Sequence, residues 1–240
     1  MKKSILSFMI IVLYVIILTG CNKKSMTETE PVTVTDIDGN VYQTIKIGDQ
    51  VWLAENLKVT HYRDGSPISH VTDRSEWLDL EAGAYCAYDN NESYAETYGY
   101  LYNWYALTGS HKIAPKGWHV PTDNDWKELE MYLGMEQGRA DNTGWRGTDK
   151  EGGKLKEAGI THWKDPNMSG TNESGFCALP GGYRHQYGYF ESLTEYAYFW
   201  TATSYIEPEA WFRKLYYKGP VIYRDGYNFR GGFSVRLIKD

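Results

Sequence analysis

The chain carries 21 Tyr, 9 Trp and 7 Phe beside 24 Gly, and this pairing of flat rings with tight-turn residues limits what it can fold into. Rings and β-branched residues suit pleated surfaces and glycines suit turns, while strong helix formers are scarce. Long helical bundles, coiled coils and disordered tails fit poorly. The net charge is −6, and no Lys/Arg cluster stands in the folded part. Nucleic acid is therefore not expected as a partner, because that affinity rests on cations tracking phosphates.

Residues 1–20 read differently. Lys2 and Lys3 precede an apolar run from Ile5 to Leu18. As a helix this run covers about 21 Å, short of the roughly 30 Å that a stable membrane span requires. The segment reads as a signal peptide ending at Leu18, Thr19, Gly20 and Cys21. That ending resembles the bacterial lipobox, which implies cleavage before Cys21, lipid attachment on its thiol, and a membrane partner reached through the lipid anchor. The expected location is the bacterial cell envelope, as an outer-membrane lipoprotein. Residues 21–31 follow as the lipidated cysteine and a polar, flexible tether, and losing Lys2 and Lys3 takes the charge from −6 to −8.

Residues 32–240 read as one domain. Val32–Ile37, Val41–Ile47 and Val51–Leu53 predict a three-stranded meander, with Val41, Ile45 and Ile47 on one face. Leu101, Trp104, Tyr105 and Thr108 recur at helical spacing and predict a helix over residues 95–107. Thr122 fits an N-cap with Asp123 and Asp125 in the first turn; Trp126, Leu129 and Leu133 then share a face, and Gly134 ends the helix. A short helix is expected at Lys154–Ala158. Strands are expected at Phe176–Leu179, Tyr187–Phe190, Tyr198–Thr203, Trp211–Tyr217, Val221–Tyr223 and Phe233–Ile238, with turns at Pro180–Gly182 and Arg224–Gly226. Strands, two main helices, long Gly-rich loops, then strands: this grouping predicts an α+β fold with antiparallel sheet.

Five strings occur in order: ETYGYLYNWYA (96–106), APKGWHVPTDNDW (114–126), GGKLKEAG (152–159), NESGFCALPGGYR (172–184) and GFSVR (232–236). Together they resemble the major paralogous domain first named from Fibrobacter succinogenes, common in lipoproteins of Bacteroidetes and related bacteria. GWHVPTDNDW is more distantly similar to the GYRLPTEAEW string of formylglycine-generating sulfatase-modifying enzymes, which implies a C-type-lectin-like fold. Their oxidase chemistry needs cysteines near the end of the domain that bind copper; here no cysteine follows Cys177, so activity is not expected to accompany the fold.

After lipidation only Cys86 and Cys177 remain as thiols. A disulfide between them, worth roughly 4 to 5 kcal/mol in the chain-entropy model, and two separate buried thiols are both compatible with the sequence. The six histidines show no metal-ligand spacing, and no other metal or cofactor is expected. Asp89, Asn91 and Glu92 offer hard oxygens for calcium, although a polar turn explains them more simply. Tyr183, Arg184, Tyr187, Trp200, Trp211, Tyr223 and Tyr227 form the candidate ligand-binding set, since flat rings beside hydrogen-bonding groups stack on sugars or anchor proteins. The resulting expectation is a noncatalytic recognition or surface-structural domain with a glycan or an envelope protein as ligand. The alternative is an envelope enzyme, such as a carbohydrate-active hydrolase, with an unrecognised carboxylate pair.

Overall fold

The computed structural model describes residues 33–148 and 150–240. The signal segment, Cys21 and the tether lie outside the described residues. Along the chain the elements begin with β1 (Thr33–Thr35), β2 (Val41–Ile47), β3 (Gln50–Leu53) and β4 (Ser69–His70). Next come α1 (Arg74–Leu78), β5 (Ala84–Cys86), α2 (Glu92–Tyr98), β6 (Leu101–Tyr102), α3 (Tyr105–Thr108), β7 (Trp118–His119) and α4 (Asp123–Tyr132). The second half contains α5 (Gln137–Ala140), β8 (Gly144–Arg146), α6 (Glu151–Leu155), β9 (Gly181–Arg184), β10 (Phe190–Leu193), β11 (Tyr196–Ser204), β12 (Glu209–Tyr216), β13 (Ile222–Asn228) and β14 (Ile238–Lys239). They form a five-stranded sheet in the order β1-β2-β3-β14-β7, a six-stranded sheet β10-β9-β11-β12-β13-β8 and a small sheet β4-β5-β6. The mixed, sheet-rich α+β class follows. Pairing is antiparallel except between β4 and β5 and between β9 and β11.

The meander and α4 form as the sequence predicts. Thr122 Oγ1 accepts from the Asp125 amide while the Asp125 carboxylate accepts from the Thr122 amide, closing a capping box at the α4 N-terminus. The expected helix over 95–107 is instead cut into α2, β6 and α3. Gly99 sits at φ +72°, and a Cβ there would lie 2.7 Å from the Leu57 carbonyl oxygen. Beyond it, the amides of Tyr100, Tyr102 and Trp104 donate to Leu57, Phe233 and Phe229, so tertiary acceptors replace helical ones. Arg224–Gly226 is likewise strand, not turn, because β12 pairs straight through it: Arg213 opposite Arg224, Phe212 opposite Asp225, Trp211 opposite Gly226. Gly181 and Gly182 open β9, Phe176–Leu179 retains a single bridge between Lys156 and Ala178, and the short helix shifts back to Glu151–Leu155.

Both large sheets pack side chains from both faces, and successive strand residues supply two separate cores. Tyr42, Leu53, Tyr198, Trp200, Phe212 and Leu237 enter one core; Ile47, Trp52, Ala197, Phe199, Leu215 and Ile238 enter the other, against Trp126 and Leu129 of α4's apolar face.

 The Leu129 side chain and the Trp126 ring therefore hold α4 against the second core, fully buried. Val41, on the same face as Ile45 and Ile47, is 54% exposed, because β2 turns Tyr42 and Thr44 inward at that end and Ile45 and Ile47 toward the other core.

A third, smaller core holds Val71, Trp77, Ala84, Cys86 and Leu101. Cys86 is a free, fully buried thiol there, and burial pushes it up to about 12. The Cys86–Cys177 bridge is therefore not formed. Cys86 packs beneath the small sheet, whereas the Cys177 carbonyl belongs to a different cage, around Arg236.

Candidate ligand-binding face

Strand register decides which of the predicted ligand residues meet. The pairs Trp200↔Phe212 and Tyr198↔Lys214 place Tyr196, Tyr198 and Trp200 on the same face of the six-stranded sheet as Phe212, Lys214 and Tyr216. Tyr183, Tyr223 and Tyr227 join that face, with Tyr183 at 4.5 Å from Tyr198 and Tyr223 at 5.9 Å from Phe212. Trp211 and Arg184 point the other way. Trp211 lies 3.4 Å from the Arg224 guanidinium, and the fully buried Arg184 lies 4.1 Å over Trp77. Tyr187 sits exposed in the β9–β10 connection, beside His185.

The seven predicted residues thus do not share one cleft. Phe233, on the returning C-terminal segment, packs on Tyr183, Tyr198, Trp200, Phe212 and Tyr227 at ring distances of 4.3–5.8 Å. It covers the middle of the face and leaves Trp200 fully buried and Tyr183 nearly so. Arg184, Tyr183 and Trp200 are therefore core residues out of a ligand's reach, a correction that follows from how the C-terminal segment crosses the sheet.

Beyond Phe233 the same face is open. Tyr198, Lys214, Tyr223 and Trp145 are successive cross-strand neighbours on β11, β12, β13 and β8. Tyr196 and Tyr216 form the adjoining pair, stacked at 4.5 Å. Trp145 is 46% exposed, and Tyr196, Lys214, Tyr216 and Tyr223 are half-buried. The Lys214 ammonium stands among the rings, 4.2 Å from Tyr223, 5.2 Å from Tyr196, 5.3 Å from Trp145 and 5.6 Å from Tyr198. The Tyr223 hydroxyl donates to Asp225 Oδ2 at 2.8 Å; burial first, then this carboxylate, raises its pKa. Burial lifts Tyr196 to about 12 and lowers Lys214. The result is a flat, partly desolvated ring surface with one cation and one carboxylate in it, a combination suited to holding a polar ligand with flat apolar faces.

Sequence reasoning missed Trp145, Tyr196, Tyr198, Lys214 and Tyr216. Trp145 lies in a Gly-rich stretch with no strand periodicity. The alternation of Tyr196, Tyr198 and Trp200 against Phe212, Lys214 and Tyr216 was a usable signal, but only a known hairpin register turns it into a patch.

The basic residues of three sequence motifs have structural duties. Lys156 Nζ donates to the carbonyls of Met168, Tyr216 and Gly219 at 2.8–3.1 Å, and burial lowers it to about 8. Arg184 donates to the carbonyls of Val71, Thr72, Asp73 and Gly188. Arg236 donates to Asn56 Oδ1 and to the carbonyls of Leu53, Phe176 and Cys177, and burial lowers it to about 9. Each cation ties together backbone segments distant in the chain by donating to several carbonyls at once. Gly153, next to this machinery, must lack a side chain, since a Cβ would meet the Ser169 carbonyl at 2.1 Å.

On the helix side of the six-stranded sheet, Arg146, Arg213 and Arg224 surround Asp123 and Glu130 of α4. Arg146 bonds both Glu130 oxygens at 2.8 Å, Arg224 bonds both Asp123 oxygens at 2.8 Å, and Arg213 bridges the two acids. Burial acts to raise Asp123, but the Arg224 bonds and the Arg213 charge outweigh it and hold the carboxyl well below the usual range. These acids are saturated by guanidinium groups.

The calcium candidates are otherwise employed. Asn91 Oδ1 accepts from the Ser93 amide at the start of α2, Glu92 Oε2 accepts from the Tyr100 hydroxyl at 2.8 Å, and Asp89 turns the chain at φ +52°. Among the described residues no group of three or more His, Cys, Asp or Glu side chains is placed to hold a metal ion.

No curated protein and no solved structure matches the chain. Residues 45–239 match the family model of the Fibrobacter succinogenes major domain, spanning the six-stranded sheet, the five-stranded sheet from the end of β2 onward, the ring surface and the three motif cations. By that match over most of its length, the chain belongs to the Fibrobacter succinogenes major domain family.

Proposed function

We propose that this protein is a noncatalytic recognition domain of the bacterial envelope, tethered to the outer membrane by lipid on Cys21, with the open ring surface as its glycan-binding face. The observation that carries the reading is the partly exposed row Lys214, Tyr223, Trp145, continuing outward from the buried Tyr198, with the stacked Tyr196–Tyr216 pair beside it. Rings of this kind, held rigid by a sheet, offer large contact area at little entropic cost. The lipobox-like ending of residues 18–21 supports the anchor, and the string similarity to formylglycine-generating enzymes supports a C-type-lectin-like elaboration of the α+β fold. Saturation of Asp123 and Glu130 by guanidinium groups argues against that buried pair as a hydrolase's acid and base.

A glycan array probed with the detergent-solubilised full chain tests the reading, alongside Trp145→Ala and Tyr223→Ala variants. Carbohydrate binding that both variants weaken is the expected result. Binding that neither variant changes, or turnover of a bound polymer, contradicts it. Membrane fractionation of Cys21→Ser tests the anchor: release is expected, and unchanged fractionation refutes lipidation.

A further inference from the structure

Lys214 differs from the other enclosed cations of this fold. Arg146, Arg213 and Arg224 are neutralised by carboxylates, and Lys156, Arg184 and Arg236 spend their donors on carbonyls. Lys214 has only rings: four lie within 5.6 Å of its ammonium, and among the described residues it has neither an ion pair nor a hydrogen bond. The carboxylate that most influences it, Asp225, is engaged by the Tyr223 hydroxyl at 2.8 Å and the Gly226 amide at 2.9 Å. Cation–π attraction holds the ammonium in place but uses none of its three N–H donors.

That arrangement favours one charge type in the ligand. A neutral sugar stacked on Trp145 and Tyr223 would strip water from the ammonium and return only neutral hydroxyl acceptors. A carboxylate would both neutralise the half-buried charge and accept charge-assisted hydrogen bonds, which are about twice as strong as neutral ones. Resting on the reading of this face as a glycan site, we propose that its ligands are acidic glycans: a uronate-type sugar lies on Trp145 and Tyr223 and its carboxylate accepts from Lys214 Nζ. Lys214 is then a specificity-determining residue, and the rings supply contact area common to neutral and acidic sugars.

The test is calorimetric titration of the detergent-solubilised full chain with a polyuronate and with the same polymer after its carboxyl groups are reduced to hydroxymethyl groups. The expected result is binding of the polyuronate at least about tenfold tighter than its reduced form, a difference of about 1.4 kcal/mol. It should weaken as salt rises from about 50 to about 500 mM. Lys214→Met should remove the preference, binding the two polymers alike, and Lys214→Arg should retain it. If Lys214→Met fails to fold, the comparison rests on Lys214→Arg and on the two polymers with the unaltered chain. Equal affinity for both polymers, tighter binding of the reduced one, or an unaltered preference in Lys214→Met overturns the acidic-ligand inference while leaving the glycan reading standing. Binding of other glycans on the array but of neither polymer does the same. Absence of binding to every glycan overturns both.

Discussion

Trp200 and Trp211 lie on adjacent strands of one sheet with their rings on opposite faces. Trp200 is fully buried beneath Phe233, with its indole N–H donating to the Tyr102 carbonyl at 2.9 Å. Trp211 is half-buried and covers the Arg224 guanidinium. Their substitutions should therefore differ. Trp200→Ala leaves a cavity and takes one of two donors from the Tyr102 carbonyl, which keeps the Phe233 amide, and is expected to cost about 3–5 kcal/mol. Trp211→Ala removes a stacking partner from an arginine that keeps its carboxylate, and is expected to cost about 1–2 kcal/mol. Urea denaturation of the two variants checks the order; equal losses would contradict the assignment of faces.

The ring surface should separate stability from binding. Trp145 is the most exposed of its rings, and its removal leaves no buried polar group unpaired. Trp145→Ala is expected to change stability by less than about 1 kcal/mol and to reduce glycan affinity by at least about tenfold. Thermal unfolding and titration of the same sample measure both quantities.

The arginine–carboxylate cluster sets an acid limb. The folded-state pKa of Asp123 lies below its unfolded value of about 3.9. Its contribution is therefore fully present above that value and is lost as pH falls through the lower, folded-state range. Asp123→Asn should flatten the decline in stability below about pH 4. It should also lower stability at neutral pH by about 3–5 kcal/mol, because Arg213 and Arg224 stay buried with reduced compensation. Denaturant midpoints measured across pH supply the check, and parallel pH profiles for the two proteins would refute it.

Lys156 should act as a clamp. Lys156→Met keeps the apolar stem but deprives the carbonyls of Met168, Tyr216 and Gly219 of their shared donor. The expected cost is about 2–4 kcal/mol. Faster amide exchange around residues 167–172 should accompany it, since that segment is tied to β12 through this ammonium. A variant of unchanged stability and exchange would show that water replaces the clamp.

Gly99 should tolerate no side chain. Gly99→Ala places a Cβ against the Leu57 carbonyl at a positive φ, and the expected loss is about 1–3 kcal/mol. Thermal denaturation measures it.

Much of the local structure was legible in the sequence. The capping box at Thr122, the apolar face Trp126–Leu129–Leu133 and the opening meander depend on neighbours close in the chain, and all three form where short-range chemistry puts them. The α+β class followed from the grouping of strands and helices, and family membership from five ordered strings. The helix expected over 95–107 failed because its amides find acceptors on Leu57, Phe229 and Phe233, partners far away in the chain. The turn expected at Arg224–Gly226 failed because β12 offers an uninterrupted ladder.

The candidate site was the least legible part. By itself the sequence determined that rings and glycines would build sheets and that the late segments would be strands. Only the tertiary structure decided which rings became core and which stayed open. Side-chain direction alternates along a strand, so a ring's fate depends on register and on what crosses the sheet above it, and here Phe233 covers Trp200 and Tyr183 while Trp145, Lys214 and Tyr223 remain accessible.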